Sequence, residues 1–444
     1  MKGWLRALWP GVRDSLWLVP GLFTLAAAAL AAAVMALDAS GVLGEGGGPR
    51  WVYQGSAEAA RTVLNTITGS LITVTGVVFS VTIVAVQLAS SQYSPRVLRN
   101  FSSDRGNQAV LGIFIGTFTY GVLVLRTIRS PEGQGGEFVP RLAITGAVLL
   151  LLVCVAALIY FINHVAEEIR VTAILERITK QTVGNVHLLF PEQLGRADEA
   201  PPPDPRLPEH DSVPVLAGGA GYVQMVDPDR LFGLGARRRM VIGMVPRIGD
   251  YVLAGAPLAS VWTDGRLGPD DEAAIRRAFV LGPERVPDQD VEFGLVQISD
   301  IAIRALSPST NDPTTALRCI DRLTQILAEL GARKPPEARR TRNGTIRFVA
   351  SYATFERAVK VAFADIRHFG APIPVIAERL LDVLGELVER VPEAQKVPLV
   401  EQARAVLYSA RQEIRNPWDA AAVEDAARRF SERAGFDLAA APNG

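Results

Sequence analysis

Only two of the 444 residues are cysteine, Cys154 and Cys319, too few for a disulfide framework or a thiolate metal cluster. Histidine is nearly as scarce, and His164, His187, His210 and His368 sit at spacings unlike a helical or hairpin metal site. Net charge is missing as well. The 46 basic side chains balance 46 acidic ones, so no overall surplus exists to neutralise nucleic-acid phosphates. A disordered chain is excluded too, because hydrophobic residues make up 49% and charged residues 21%. Neither a P-loop, a dinucleotide-binding glycine motif after a strand, an HExxH helix nor an EF-hand loop occurs. A GxSxG nucleophile elbow is also missing. The expectation is a protein without enzymatic activity, cofactor or metal.

Charge is scarcest in the first third. Residues 1–163 hold 11 Lys/Arg and 7 Asp/Glu, against 35 and 39 in residues 164–444. Four charge-free runs account for this: Ser15–Leu37, Thr62–Pro95, Gly106–Leu125 and Leu142–Ala166, of 23, 34, 20 and 25 residues. About 20 apolar residues span a hydrocarbon core, so each run is long enough. The first exceeds the usual signal-peptide core and lacks a clear cleavage site. Trp4, Trp9 and Trp17 suit an interfacial belt around its start. Transmembrane helices are therefore expected near 15–37, 66–94, 106–128 and 142–163. With the N-terminus inside, the inner flanks carry nine Lys/Arg and the outer loops five, which predicts a multi-pass inner-membrane protein with both termini cytoplasmic.

The second run carries an unusual load of polar residues. Thr66, Thr73, Ser80, Gln87 and Ser94 recur every seven residues, nearly two helical turns, so they form one slowly drifting stripe, and the first four are the candidates for lining a path. Gly69 and Gly76 lie beside it, and Thr68, Thr75 and Thr82 form a second file roughly opposite. Helix packing through small-xxx-small pairs is the commoner reason for such a pattern. The functional alternative is a neutral, hydroxyl-lined path through an oligomer. The second and third runs contain no ionisable residue, which disfavours a proton-coupled carrier. Beyond the stripe, Arg96 and Arg99 follow Pro95 as candidates for a cytoplasmic mouth, although headgroup snorkelling explains them more simply.

The string SSQYSPRVLRNF at 90–101, with LGIFIGTFTY at 111–120 and EFGLVQISDIAIRALSPSTNDPTTALRCIDRL at 292–323, resembles the bacterial membrane protein family known as domain-of-unknown-function 2254. The resemblance runs from the first apolar helix to about residue 330. It implies N-terminal membrane helices and a cytoplasmic C-terminal region, and supplies no activity, substrate or catalytic residue.

The remainder is predicted to be soluble α+β structure. Residues 164–194 keep apolar residues at near-helical spacing and read as a helical stalk. Residues 195–214 hold six prolines and read as a linker. Val/Ile-rich blocks with turn residues over 215–266 suggest a small β-barrel-like domain, faintly similar to biotinyl and lipoyl carriers. No lysine lies between Val213 and Arg266, so covalent attachment of either group is excluded. Arg237–Arg239 in its middle are expected at a solvated hairpin tip rather than at an anionic-lipid contact. Residues 267–444 are read as a mainly helical domain. Asp300, Arg304, Asn311 and Asp312 cluster in its sequence, and helix caps and surface pairs explain all four.

The functional expectation is a homo-oligomeric channel with the second helix lining the path, ions as cargo, and a cyclic ring of copies as its partners in the bilayer. The alternative is a non-conducting scaffold or signalling protein whose cytoplasmic domain binds a partner.

Overall fold

A backbone running through hydrocarbon has no water to bond, so each charge-free run must satisfy itself as a helix. The computed structural model describes residues 18–40, 49, 51–92, 104–129, 138–168, 170–190, 211–333, 338–342, 344–435 and 438. Within it lie α1 (Leu18–Ala39), α2 (Ala57–Gln92), α3 (Arg105–Thr127) and α4 (Arg141–Glu168). All four are long and apolar enough to cross a membrane. The chain separates into two units, Met1–Ala173 and Ile174–Gly444.

In the first unit α3 is the central helix, packed against α1, α2 and α4. Its glycines set how closely the neighbours approach. A Cβ on Gly112 would lie 2.8 Å from the Phe23 ring of α1, and one on Gly121 would lie 2.6 Å from the Thr68 methyl of α2. Tyr120 of α3 is fully buried, and its hydroxyl donates to the Ala143 carbonyl of α4 at 3.0 Å. At the end of α1, the Asp38 carboxylate accepts from the Leu142 and Ala143 amides, each at 3.0 Å. These are amides that the start of α4 cannot satisfy within itself.

Helix α5 (Val171–Leu189) crosses the division at Ala173, and most of it belongs to the second unit. The described helical residues of 164–194, expected as a helical stalk, fall in the end of α4 and in α5. In α5, Ile174, Leu175, Ile178, Thr182 and Val186 are buried. Thr182 occupies the space a side chain on Gly294 would need. The Asn185 amide donates to the Pro287 carbonyl, and Arg333 Nη1 donates to the Phe190 carbonyl at 3.0 Å.

The strands are β1 (Val213–Leu216), β2 (Gly221–Val226), β3 (Val241–Met244), β4 (Tyr251–Val252), β5 (Pro257–Trp262), β6 (Phe279–Gly282), β7 (Arg339–Arg342) and β8 (Thr345–Val349). They do not close the small barrel expected over 215–266. Two open sheets form instead, ordered β1-β5-β3-β8-β7 and β4-β2-β6. The reason lies in the pairing: β8 runs parallel to β3 and β6 pairs with β2, so strands from outside the interval complete both sheets. Both contribute to one core that includes Val223, Ile242, Val252, Val261, Phe279 and Phe348. Helices α6 (Pro228–Arg238) and α7 (Pro269–Arg276) add Leu231, Leu234 and Ile275 to it. The predicted hairpin tip at Arg237–Arg239 is therefore the end of a helix, with Arg239 as its left-handed cap at φ 55°.

Helices α8 (Val291–Ala305), α9 (Pro313–Gly331), α10 (Phe355–Gly370), α11 (Pro374–Val388), α12 (Lys396–Glu413) and α13 (Pro417–Ala434) complete the unit. Asp312 caps α9 as its sequence predicts, accepting from the Thr315 amide at 3.0 Å and its hydroxyl at 2.6 Å. Those bonds hold its carboxyl below the usual range. A second carboxylate, Asp290, caps α8 and is forked by Arg285 through two 2.8 Å bonds. Burial nevertheless pushes the Asp290 carboxyl up, against the pull of Arg285 and the Phe293 amide.

Candidate functional site

The side of α2 that packs inward is itself a seven-residue file. Ala57, Leu64, Leu71, Val78 and Ala85 are all buried. The stripe Thr66, Thr73, Ser80, Gln87 follows two residues behind it. Two residues turn a helix by about 200°, so the polar file faces almost directly away from the buried one. All four side chains are exposed. The second polar file stays with the packed face: Thr68 is buried, and Thr75 and Thr82 are half-buried. The structure thus brings the four predicted residues onto one outward line that no described residue of the first unit covers. From Thr66 to Gln87 the helix rises about 31 Å, close to the full thickness of a hydrocarbon core. Ser94, Arg96 and Arg99 lie outside the described residues.

The chemistry of the stripe is not uniform. Thr66 donates its hydroxyl to the Thr62 carbonyl at 2.8 Å, and Thr73 donates to Gly69 at 3.2 Å. The inward threonines do the same: Thr68 to Leu64, Thr75 to Leu71 and Thr82 to Val78, at 2.8, 2.6 and 2.8 Å. Each threonine therefore satisfies its donor within the helix and presents only an oxygen lone pair and a methyl. Ser80 and Gln87 make no side-chain hydrogen bond to another described residue. Gly69 and Gly76, beside the stripe, face open space, with nothing within 4 Å of a built Cβ.

A second polar cluster joins the start of α3 to the end of α4. Asp104 caps α3, accepting from the Gly106 amide at 3.0 Å through Oδ1. Its Oδ2 lies 2.6 Å from Nε2 of His164. The His164 ring stacks on Tyr160 at 5.1 Å between centroids. One turn into α3, Asn107 is 4% exposed and its amide has no hydrogen-bond partner among the described residues. Sequence reasoning missed this cluster because its members are 60 residues apart. The available signal was that Asp104 is the lone carboxylate between Glu58 and Glu132, with His164 the lone histidine before residue 187.

In the second unit, a cleft of about 720 Å³ is bounded by Phe190, Arg333, Tyr352, Phe355, Gln395 and Glu401. The Gln395 Oε1 atom is buried there without a partner among the described residues. Among the described residues no three histidine, cysteine or carboxylate side chains converge as metal ligands would.

Four apolar spans followed by a mixed helix-and-sheet unit define a multi-span membrane protein. The chain belongs to the family of predicted membrane proteins DUF2254, which it matches over residues 13–386. It is 38% identical over 389 residues to an uncharacterized protein of Mycobacterium bovis, covering 86% of this chain and 74% of that one. An uncharacterized protein of Mycobacterium tuberculosis shows the same identity and coverage. No solved structure matches.

Proposed function

We propose that this protein is a homo-oligomeric channel of the bacterial inner membrane, without enzymatic activity, in which α2 from each copy lines a neutral path. One observation carries the reading: the polar stripe of α2 is the face that the described residues of its own unit leave uncovered. A lone span facing lipid gains nothing from an exposed amide at Gln87 and a free hydroxyl at Ser80. Facing a ring of copies, the same groups replace hydration water along a lumen. Both termini are assigned to the cytoplasm by the distribution of arginine, and a closed ring buries the same patch in every copy.

A scaffold reading competes, and two observations favour it. The threonine donors are already satisfied within α2. Gly69 and Gly76 are also free to seat another helix closely. The substitution Ser80→Leu separates the two. Leucine removes the hydroxyl and narrows a lumen, so a channel should lose ion flux in proteoliposomes while the oligomer stays intact on a sizing column. A dry helix contact would be overpacked by about 1–3 kcal/mol per site, and the oligomer would dissociate. Wild-type protein that conducts under no voltage, tension or salt condition would leave only the scaffold.

A further inference from the structure

The chain as a whole is neutral, yet its arginines are not evenly spread. Helix α6 with its two capping residues, β7 and β8 together hold eight arginines against two aspartates, Asp227 and Asp229. The two runs are about a hundred residues apart in sequence and adjoin in the fold. Gly235 of α6 sits so close to β8 that a Cβ there would fall 2.4 Å from the Arg347 carbonyl oxygen. Arg340 of β7 reaches Asp229 of α6 at 2.7 Å. This contact sets Arg237–Arg239, at the end of α6, beside the edge of the five-stranded sheet, where β7 is the outermost strand.

Local carboxylates neutralise only part of this surface. Asp229 is taken by Arg340, and Asp271 of α7 pairs with Arg238 at 3.0 Å. The remaining acids of α7 are Asp270 and Glu272, and Glu272 bonds Arg276. Arg237, Arg239 and Arg342 are exposed and have no carboxylate partner among the described residues. Every cation on these three elements is arginine, none lysine. The planar guanidinium fork suits phosphate oxygens, which it can bind in pairs. Charge on an edge strand also has a blander role, since it deters pairing with another sheet. That role accounts for β7, and the helix C-terminus favours Arg237 and Arg238 in its last turn; neither requires the two groups to adjoin.

We propose that this face of the second unit binds the phosphate headgroups of anionic phospholipid. The unit begins within a few residues of the last apolar span, with α4 ending at Glu168 and α5 starting at Val171. Covalent attachment to a membrane anchor holds a bilayer surface at high effective concentration, and clustered basic side chains are attracted to anionic headgroups. The inference is independent of whether α2 lines a path.

The full chain, reconstituted in nanodiscs of phosphatidylcholine with and without one third phosphatidylglycerol, provides the test by amide hydrogen exchange. Peptides covering 229–240 and 339–349 should exchange several-fold more slowly in the anionic discs. That protection should be lost at high salt and in the Arg237→Gln/Arg239→Gln/Arg342→Gln variant, and retained in part by the corresponding lysine variant. Inorganic phosphate added to neutral discs should not reproduce it; if it does, the site takes free phosphate rather than a lipid surface. Equal exchange in both lipids overturns the proposal. Protection by RNA in neutral discs, without protection by phosphatidylglycerol, overturns it in favour of nucleic acid. An unchanged exchange pattern across the rest of the variant shows that its fold is intact.

Discussion

The orientation of α2 can be tested with two small substitutions, Gly121→Ala in α3 and Gly76→Ala in α2. A Cβ on Gly121 would meet the Thr68 methyl at 2.6 Å. Thr68 cannot swing aside freely, because its hydroxyl is bonded to the Leu64 carbonyl at 2.8 Å, and its side chain is 7% exposed. One helix must therefore move, at about 1–3 kcal/mol for an overpacked contact. The same added methyl on Gly76 meets nothing within 4 Å. In an isolated subunit it should be neutral or slightly favourable, since alanine loses less backbone freedom than glycine. Melting followed by size exclusion in mild detergent reads the first quantity, and particle mass reads the second. Gly121→Ala should lower the melting temperature of the subunit, whereas Gly76→Ala should leave it unchanged. If Gly76→Ala also leaves the oligomer intact, the stripe does not seat a tightly packed neighbour, as a lumen requires. Oligomer loss in that variant would assign the face to packing. The reverse pattern, with Gly121→Ala silent and Gly76→Ala melting early, would refute the arrangement of α2 on α3 altogether.

Single cysteines at Gly46 and Gln134 should label from outside intact cells, and those at Glu209 and Gly444 only from inside; external labelling of position 444 would overturn the orientation. Arg285→Ala should destabilise the second unit by about 3–5 kcal/mol, because it leaves the buried Asp290 carboxylate unpaired. An acid whose folded pKa is raised stabilises most below its unfolded value, near about 3.9, and less as pH rises through the folded one. Arg285→Ala raises that value further, so its deficit against wild type in thermal melts should widen from acid to neutral pH. Asp312→Ala should cost about 1 kcal/mol as a lost helix cap, a deficit that is full at neutral pH and shrinks in acid. The lowered Asp312 pKa gives stability above the unfolded value that is lost as pH falls through the folded one. A deficit that persisted unchanged in acid would show that the Asp312 charge plays no part.

What was legible in the sequence follows from how local each signal is. The four apolar helices were, because a span needs only its own residues. So was the cap at Asp312, since aspartate before proline acts within one turn. The barrel expectation failed for a non-local reason: β3 finds a parallel partner in β8, which begins about a hundred residues later. The same interval also hides α6, although Asp227 followed by Pro228 is the signal that marks α9 at Asp312 and Pro313. Alternating hydrophobic residues on both sides drew that short helix into the strand reading. Asp104 and His164 escaped because each is unremarkable within its own run and acquires a partner only when α3 packs on α4.

The structure redistributes weight within the predicted site. Seven-residue spacing treats Thr66, Thr73, Ser80 and Gln87 as equals, but hydrogen bonding does not. A threonine that returns its proton to its own helix is close to an apolar side chain with one acceptor. Such a residue is tolerated in lipid, in a dry helix contact or at a wet wall alike. The two threonines therefore discriminate little between channel and scaffold. Gln87 presents an amide with two donors and an acceptor, and Ser80 lies roughly 10 Å from it along the axis, at one rise of seven residues. Neither group is bonded to another described residue, so the channel reading gives both to water and the scaffold reading gives both to a neighbouring copy. A neighbour's α2 offers mainly threonines whose protons are already committed, leaving oxygen acceptors for the amide and few donors in return. Water supplies both. That asymmetry concentrates the case for a wet path on the Gln87 half of α2.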